Sequence, residues 1–306
     1  FVEYADIVSR TLGGRVKMWE TFNEPFVITV LGYLVGEHAP GHTDLDESLA
    51  TSHHLLLAHG QAVPVLRQNA PSAQVGMVVN LSPVMPASAS ILDIKAAWLH
   101  HCMVNRWFLD MVAGRGYPAD LVADMNRPMN FIQPGDQEII AAPIDFIGIN
   151  NYSRDVRRDS SVPEEQNLKR LIFPENERTE MGWEVYPDSL YNTLLWVDRE
   201  YHFPALYVTE NGAAYPDKLT PDRQINDLDR ISYLQRNLAS AARAFEAGIP
   251  FKGYFTWSLI DNFEWAHGFT KRFGLVYVDY GSQERIPKKS AGWYRQLIAE
   301  NQFTLI

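Results

Sequence analysis

The chain has a single cysteine, Cys102, in 306 residues. It has no partner within the chain, so an intrachain disulfide framework is excluded, and a reducing, cytoplasmic compartment is the simpler expectation. Positive charge is scarce. Lys and Arg total 27 against 37 Asp and Glu, giving a net charge of −10 and a pI of about 5.4. That balance disfavours nucleic acid and anionic membrane surfaces as partners. Long apolar runs are missing too: the longest, residues 26–35, is too short to span a bilayer and contains Gly32. No signal peptide is visible, and a chain that opens on Phe1 rather than Met gives that silence little weight. HExxH, CxxC, GxSxG, P-loop and dinucleotide-binding glycine patterns are all lacking, so no cofactor or metal is expected. The histidines cluster at 53–54, 59 and 100–101, but on helical patterns, where they read as helix-surface or core residues.

What is present is an ordinary globular composition, 46% hydrophobic and 21% charged. Five segments read as buried strands: 15–23, 74–80, 144–152, 205–211 and 252–259. They are short, apolar and rich in β-branched or aromatic residues. Helical spacing lies between them. Leu190, Leu194, Val197 and Tyr201 form one stripe. Ile231, Leu234, Leu238, Ala241 and Phe245 form another, with Gly248 as its C-cap. A third runs from Trp98 through Cys102, Asn105 and Leu109 to Val112 and ends near Gly114. A further helix covers about 46–69, and Pro64 predicts a kink or break within it. Strand alternating with helix predicts parallel βαβ units and a single α/β domain over 1–306. The units run roughly 50–70 residues, against about 30 in a plain barrel. The excess lies after the strands, as in the charged stretch 153–183, where such folds build their sites.

The stretch "WETFNEP" ends the first strand on Asn23-Glu24, and "YVTENG" ends the fourth on Glu210. One glutamate alone reads as a solvated loop charge. Two of them at the C-terminal ends of buried parallel strands converge on one pocket. Paired carboxylates suit glycoside hydrolysis: one is protonated for the leaving oxygen, the other ionised for the oxocarbenium-like carbon.

The ordered set "TFNEP", "HAPG", "GINNY", "MGWEVYPDSLY", "YVTENG", "WSLIDNFEW" and "KRFGLVYVDY" resembles glycoside hydrolase family 1, the β-glucosidase-like retaining enzymes, through essentially the whole chain. The resemblance implies a (β/α)₈ TIM barrel, of which this chain carries about strands four to eight with their helices. It implies Glu24 as acid/base and Glu210 as nucleophile. Asn23 would bond the sugar 2-hydroxyl, Asn150 would line the pocket, and Tyr152 would hold the nucleophile. Trp257 would floor the glycone, Glu264 would take the 4- and 6-hydroxyls with Trp265 beside it, Trp183 would shape the aglycone side, and Phe273 would pack near the glycone end. For Trp257, Trp265 and Phe273 the bland alternative is core packing. Asn151 departs from the family, which usually has Tyr there.

The resemblance further implies an unphosphorylated β-D-glucoside or oligosaccharide substrate, with galactosides and fucosides tolerated. Two alternatives stand beside it: a non-catalytic sugar-binding or receptor-like relative, and a 6-phospho-β-glycosidase. The first predicts loss of a catalytic carboxylate, and the second predicts no acid at position 264. The opening segment reads as the helix before the fourth barrel strand. The first three strands are thus expected to be absent, the isolated chain inactive, and a complementary N-terminal segment or chain its partner. The sequons at Asn80 and Asn151 lie at strand ends facing the expected pocket, where a glycan has no room.

Overall fold

The computed structural model describes residues 1–161 and 175–302. In chain order the strands are β1 (Met18–Asn23), β2 (Gln74–Asn80), β3 (Val84–Pro86), β4 (Phe146–Asn150), β5 (Asp155–Arg157), β6 (Leu206–Asn211), β7 (Phe251–Thr256), β8 (Val276–Val278) and β9 (Arg285–Pro287). The helices are α1 (Val2–Leu12), α2 (Leu45–Asn69), α3 (Ile91–His101), α4 (Trp107–Val112), α5 (Ala119–Met125), α6 (Asp136–Ile140), α7 (Asp188–Tyr201), α8 (Leu228–Glu246) and α9 (Lys289–Glu300). Five strands form one parallel sheet in the order β1-β2-β4-β6-β7, so each strand's neighbour is the next long strand in sequence. That order, with helices between, is a curved arc of right-handed βα units. β3 pairs with β5 in parallel, and β8 with β9 antiparallel.

The main core lies between sheet and helices. Val75, Met77 and Val79 of β2, Ile147 and Ile149 of β4, and Leu206 and Val208 of β6 meet Leu56 and Leu66 of α2 and Leu190 and Leu194 of α7. These alternate strand positions are what period-two patterning predicts. Truncating one such leucine, Leu194→Ala for example, is expected to cost about 2–5 kcal/mol.

Several elements depart from expectation for identifiable reasons. Residues 15–17 are not strand, because Arg15 and Val16 close a turn on the Leu12 carbonyl. β4 stops at Asn150, beyond which Leu81 N–H donates to the Asn150 carbonyl and Asn151 N–H to that of Glu210. β7 stops at Thr256, and Ser258, Leu259 and Asp261 bond residues 273–276 instead. α2 is one helix with Pro64 inside it and no break. Buried Leu56, Ala62, Val63 and Leu66 hold it in place, and that packing outweighs the roughly 3 kcal/mol cost of an internal proline. α3 and α4 are joined through a π-helical turn, Cys102–Arg106, closed by Trp107 N–H to the Cys102 carbonyl. Phe245, the last member of the α8 stripe, is exposed. Gly248 lies one residue beyond the α8 cap, at φ +82°. Part of the expected loop 153–183 lies outside the described residues.

Among the described residues, β1 and β7 are edges, each paired on one side only. Phe255 of β7, Tyr4 and Ile7 of α1, and Ile298 of α9 are exposed apolar side chains. No helix among the described residues is long and apolar enough to cross a membrane.

Candidate active site

Parallel register brings the strand ends together. Asn80 of β2 stands beside Asn150 of β4, and Asn150 beside Glu210 of β6. β1 carries a register shift between Glu20 and Asn23, and Glu24 follows at φ +48°, a left-handed conformation unusual for a residue with a Cβ. Pro25 then opens the π-helical segment Val27–Leu34, which leaves the sheet. The result is a sharp turn that aims the Glu24 carboxylate across the strand ends. Such backbone strain collects where function demands a geometry.

A cavity of about 1280 Å³ opens at these ends. It is lined by every residue the sequence singled out: Asn23, Glu24, Asn150, Tyr152, Trp183, Glu210, Trp257, Glu264, Trp265 and Phe273. Asn150 is buried and central. Its amide donates to Glu24 Oε1 at 2.8 Å and to Asn23 Oδ1 at 3.0 Å. Its own carbonyl oxygen accepts from Thr209 Oγ1 at 2.7 Å, which fixes the amide's orientation. Tyr152 donates its phenol to Glu210 Oε2 at 2.6 Å, and Asn23 Nδ2 approaches Glu210 Oε1 at 3.5 Å.

Both carboxylates are pushed above the ordinary carboxylate range. Burial raises Glu24 first, and the Glu264 charge adds to it, against one hydrogen bond from Asn150. Burial and the Glu24 charge raise Glu210 to about 7, against hydrogen bonds from Tyr152, Asn150 and Asn23. Glu264 is raised by burial and by Glu210. Three carboxylates thus share a low-dielectric cleft, and like charges that close cannot all ionise freely.

The aromatic residues divide by surroundings. Trp183, Tyr152 and Phe273 form a packed set, with ring centroids 5.1 Å apart for Tyr152–Trp183 and 6.1 Å for Trp183–Phe273. Phe273 is buried, whereas Trp265 is exposed, has φ +40°, and stacks on His38 at 5.4 Å. Trp257 lies over the end of β6: a Cβ on Gly212 would stand 1.8 Å from the Trp257 carbonyl oxygen, so only glycine lets the two segments touch.

Sequence reading passed over the residues behind the wall. Thr209 orients Asn150. Asn211 is fully buried, donates to the Asn151 carbonyl at 2.7 Å and accepts from Tyr254 at 2.6 Å. Both flank Glu210 in "VTENG", and polar residues beside a strand-end glutamate were the available signal. Asn151 accepts from Ser189 at 3.0 Å and donates to the Leu81 carbonyl at 2.8 Å, so it ties three segments together. The histidines are held by side chains of the fold: His53 by Asp136 at 2.9 Å and Tyr117 at 3.0 Å, His59 by Thr21 at 2.6 Å. Among the described residues no His, Cys, Asp and Glu group has metal-binding geometry.

Comparison with known proteins bears on this arrangement. The family model for glycosyl hydrolase family 1 matches residues 1–303. Beta-glucosidase A of Acetivibrio thermocellus is 42% identical over 99% of this chain and 68% of its own length. A bifunctional beta-D-glucosidase/beta-D-fucosidase of Bifidobacterium breve is 40% identical over 98% of this chain and 68% of its own. Among solved structures, the AHE enzyme of Alicyclobacillus herbarius superposes with a TM-score of 0.91 at 42% identity. A family 1 β-glucosidase from Thermotoga maritima in complex with isofagomine lactam gives 0.90 at 38% identity. Each structure is matched over 68% of its length, and the five-stranded arc is accordingly a partial (β/α)₈ barrel. The chain belongs to glycosyl hydrolase family 1 and is a glycoside hydrolase.

Proposed function

We propose that the chain carries the catalytic C-terminal portion of a retaining β-glycosidase acting on unphosphorylated β-D-glucosides or oligosaccharides, with galactosides and fucosides tolerated. The observation that carries this reading is the unequal share of donors. Glu210 accepts from the Tyr152 phenol at 2.6 Å and is approached by the Asn23 amide at 3.5 Å, whereas Glu24 accepts from the Asn150 amide alone. Donors favour the anion, so the negative charge settles on Glu210 and the proton on Glu24. A nucleophile and an acid are thereby distinguished by environment.

In the first step Glu210 attacks the anomeric carbon. The glycosidic C–O bond breaks as Glu24 gives its proton to the leaving oxygen. Glu210 is then esterified and Glu24 ionised. In the second step a water yields its proton to Glu24 and its oxygen to the anomeric carbon, which frees Glu210. Retention by this route needs the carboxylates about 5–5.5 Å apart. Asn150, whose amide donates to Glu24, is the register partner of Glu210 on the neighbouring strand, which suits such closeness. Asn23 takes the 2-hydroxyl, Trp257 the apolar sugar face, and Glu264, flanked by Trp265, the 4- and 6-hydroxyls. Phe273 closes the glycone end and Trp183 bounds the aglycone. An anion at Glu264 repels a 6-phosphate, and two present carboxylates speak against a non-catalytic sugar-binding relative.

Residues 1–306 act as the C-terminal portion of one barrel domain. The open edges of β1 and β7 need a complementary segment, without which the chain does not turn over. The single cysteine, Cys102, free and buried, fits a reducing, cytoplasmic compartment.

The test uses the chain alone and joined to the N-terminal third of the Thermotoga maritima relative. An aryl β-glucoside should be turned over by the joined protein only. In it, Glu210→Gly with azide should give an inverted glycosyl azide, and Glu24→Ala with azide a retained one. Full turnover by residues 1–306 alone would overturn the need for a partner. The opposite azide products would exchange the two roles.

A further inference from the structure

Glu264 and Trp265 sit on an excursion of chain, residues 262–272, that leaves the sheet after β7 and returns at Phe273. Its two feet are zipped together. Leu275 N–H donates to the Ser258 carbonyl at 2.9 Å, and Val276 N–H to that of Leu259 at 2.9 Å. Asp261 N–H bonds the Val276 carbonyl at 3.0 Å. The Asp261 carboxylate, fully buried, then grips the returning foot. Oδ1 accepts from Gly274 N–H at 3.0 Å, and Oδ2 from Arg272 Nη1 at 2.6 Å. The fit is tight, since a Cβ on Gly274 would stand 2.2 Å from the Asp261 nitrogen.

Asp261 is itself held from behind. Lys288, at the start of α9, donates to Asp261 Oδ1 at 2.8 Å and also to Asp217. Neither lysine nor aspartates are reached by water to any extent, with side-chain exposures of 0–1%. Arg230 of α8 forks onto Asp217 at 3.0 and 3.1 Å, pairs with Asp227, and donates to the Arg272 carbonyl at 2.8 Å. The cations Arg230, Arg272 and Lys288 thus match the carboxylates Asp217, Asp227 and Asp261 one for one. Three buried carboxylates, Asp217 and Asp227 on the loop after β6 and Asp261 on the loop after β7, are bridged by Arg230 of α8, Lys288 at the start of α9 and Arg272, which fixes the two loops against one another.

We propose that Lys288 and Asp261 are positioning residues for the glycone pocket: their buried pair sets where Glu264 meets the sugar 6-hydroxyl. The proposal rests on the reading of Glu264 given above. Its consequence is selective. Slackening the staple should weaken recognition of the 6-hydroxyl and leave the chemistry at Glu24 and Glu210 largely alone.

The test is the charge-balanced double variant Asp261→Asn/Lys288→Met, which removes one cation and one anion together so that the network keeps its net charge. It is assayed in the joined protein on an aryl β-glucoside and on its 6-deoxy counterpart, with Glu264→Gln in parallel. A hydrogen bond to a charged group corresponds to about 10-fold or more in kcat/KM. We expect the double variant to lose that factor on the glucoside and less than about 3-fold on the 6-deoxy sugar, mostly in KM. Equal loss on both sugars would reduce the pair to a structural role and overturn the proposal. If Glu264→Gln also failed to discriminate, the reading of Glu264 would be the one at fault; discrimination there without it in the double variant sinks the positioning claim alone. A crystal structure of the double variant is the second readout and needs no turnover. A displaced Glu264 carboxylate is expected, and one that keeps its place overturns the proposal.

Discussion

Two groups of charge meet in the loop after β7, one partly exposed in the cleft and one buried in a matched network, and they are built on opposite rules. In the cleft, Glu24, Glu210 and Glu264 face one another with amides and a phenol as donors, and all three are raised by burial. Behind it, Asp217, Asp227 and Asp261 are matched by Arg230, Lys288 and Arg272. The residues differ little in chemistry; what differs is whether a cation answers each anion. Satisfied charges fix geometry. Unmatched ones hold their protons more tightly than free carboxylates do, and in the proposal above the matched group holds the Glu264 loop in place.

The largest effect should come from breaking the matched group. Arg230→Met leaves Asp217 and Asp227 short of a partner, and about 3–5 kcal/mol of stability should be lost. Urea unfolding followed by tryptophan fluorescence measures it, and a loss under 1 kcal/mol would mean the network is not tightly coupled.

The next concerns Tyr152. Tyr152→Phe removes the 2.6 Å donor to Glu210. In the joined protein a lost charge-assisted bond of about 1.5–3 kcal/mol should lower kcat/KM by about 10- to 100-fold. The direction in pH is fixed as well. Without the donor the anion is less favoured, the Glu210 pKa rises, and the acid limb of the pH–rate profile moves to higher pH. An unmoved limb would mean that the Tyr152 bond does not govern the titration of Glu210.

The unmatched group should show the reverse sign in stability. Glu210 has a folded pKa raised to about 7. A raised carboxylate binds its proton more tightly folded than unfolded. Its contribution is therefore fully favourable below the unfolded value of about 4.3 and is lost as pH rises towards 7. Glu210→Gln should thus be more stable than the parent by about 1–2 kcal/mol at pH 7.5, with the gain gone near pH 4. Denaturation midpoints at the two pH values decide it. At the small end, Arg243 and Asp188 form a 2.6 Å pair that is about half exposed. Arg243→Ala should change stability by less than about 0.5 kcal/mol.

The cleft was legible in the sequence and the network was not, for a physical reason. Glu24, Asn150, Glu210 and Glu264 lie at strand ends or in the loop that follows, within short motifs, so local pattern locates them. Lys288 and Asp217 are 71 positions apart, and Arg230 and Asp227 look like charges on an amphipathic helix. Only tertiary packing turns them inward. The five strands were readable because alternate apolar residues bury one face, while their ends were misjudged where chain segments leave the sheet for other partners, as at Ser258. Pro64 misled because propensity was weighed without the packing around α2. Asn151, a departure from the usual tyrosine, proved to be a fully bonded tie between segments, which its residue type alone could not reveal.

That tie has a consequence for how the protein is made. Asn151-Tyr152-Ser153 is an acceptor sequence for N-linked glycan, and Asn151 is only 1% exposed in the folded chain. Oligosaccharide transfer in a eukaryotic secretory pathway acts on nascent chain, before this burial exists. A glycan placed there would block the bonds to Leu81 and Ser189 and hold Tyr152 away from Glu210. Ser153→Ala removes the acceptor but forfeits its 2.8 Å bond to the Glu184 carbonyl. Production in a bacterial cytoplasm should therefore give one uniform species, and secretion from yeast a mixture whose modified fraction does not pack.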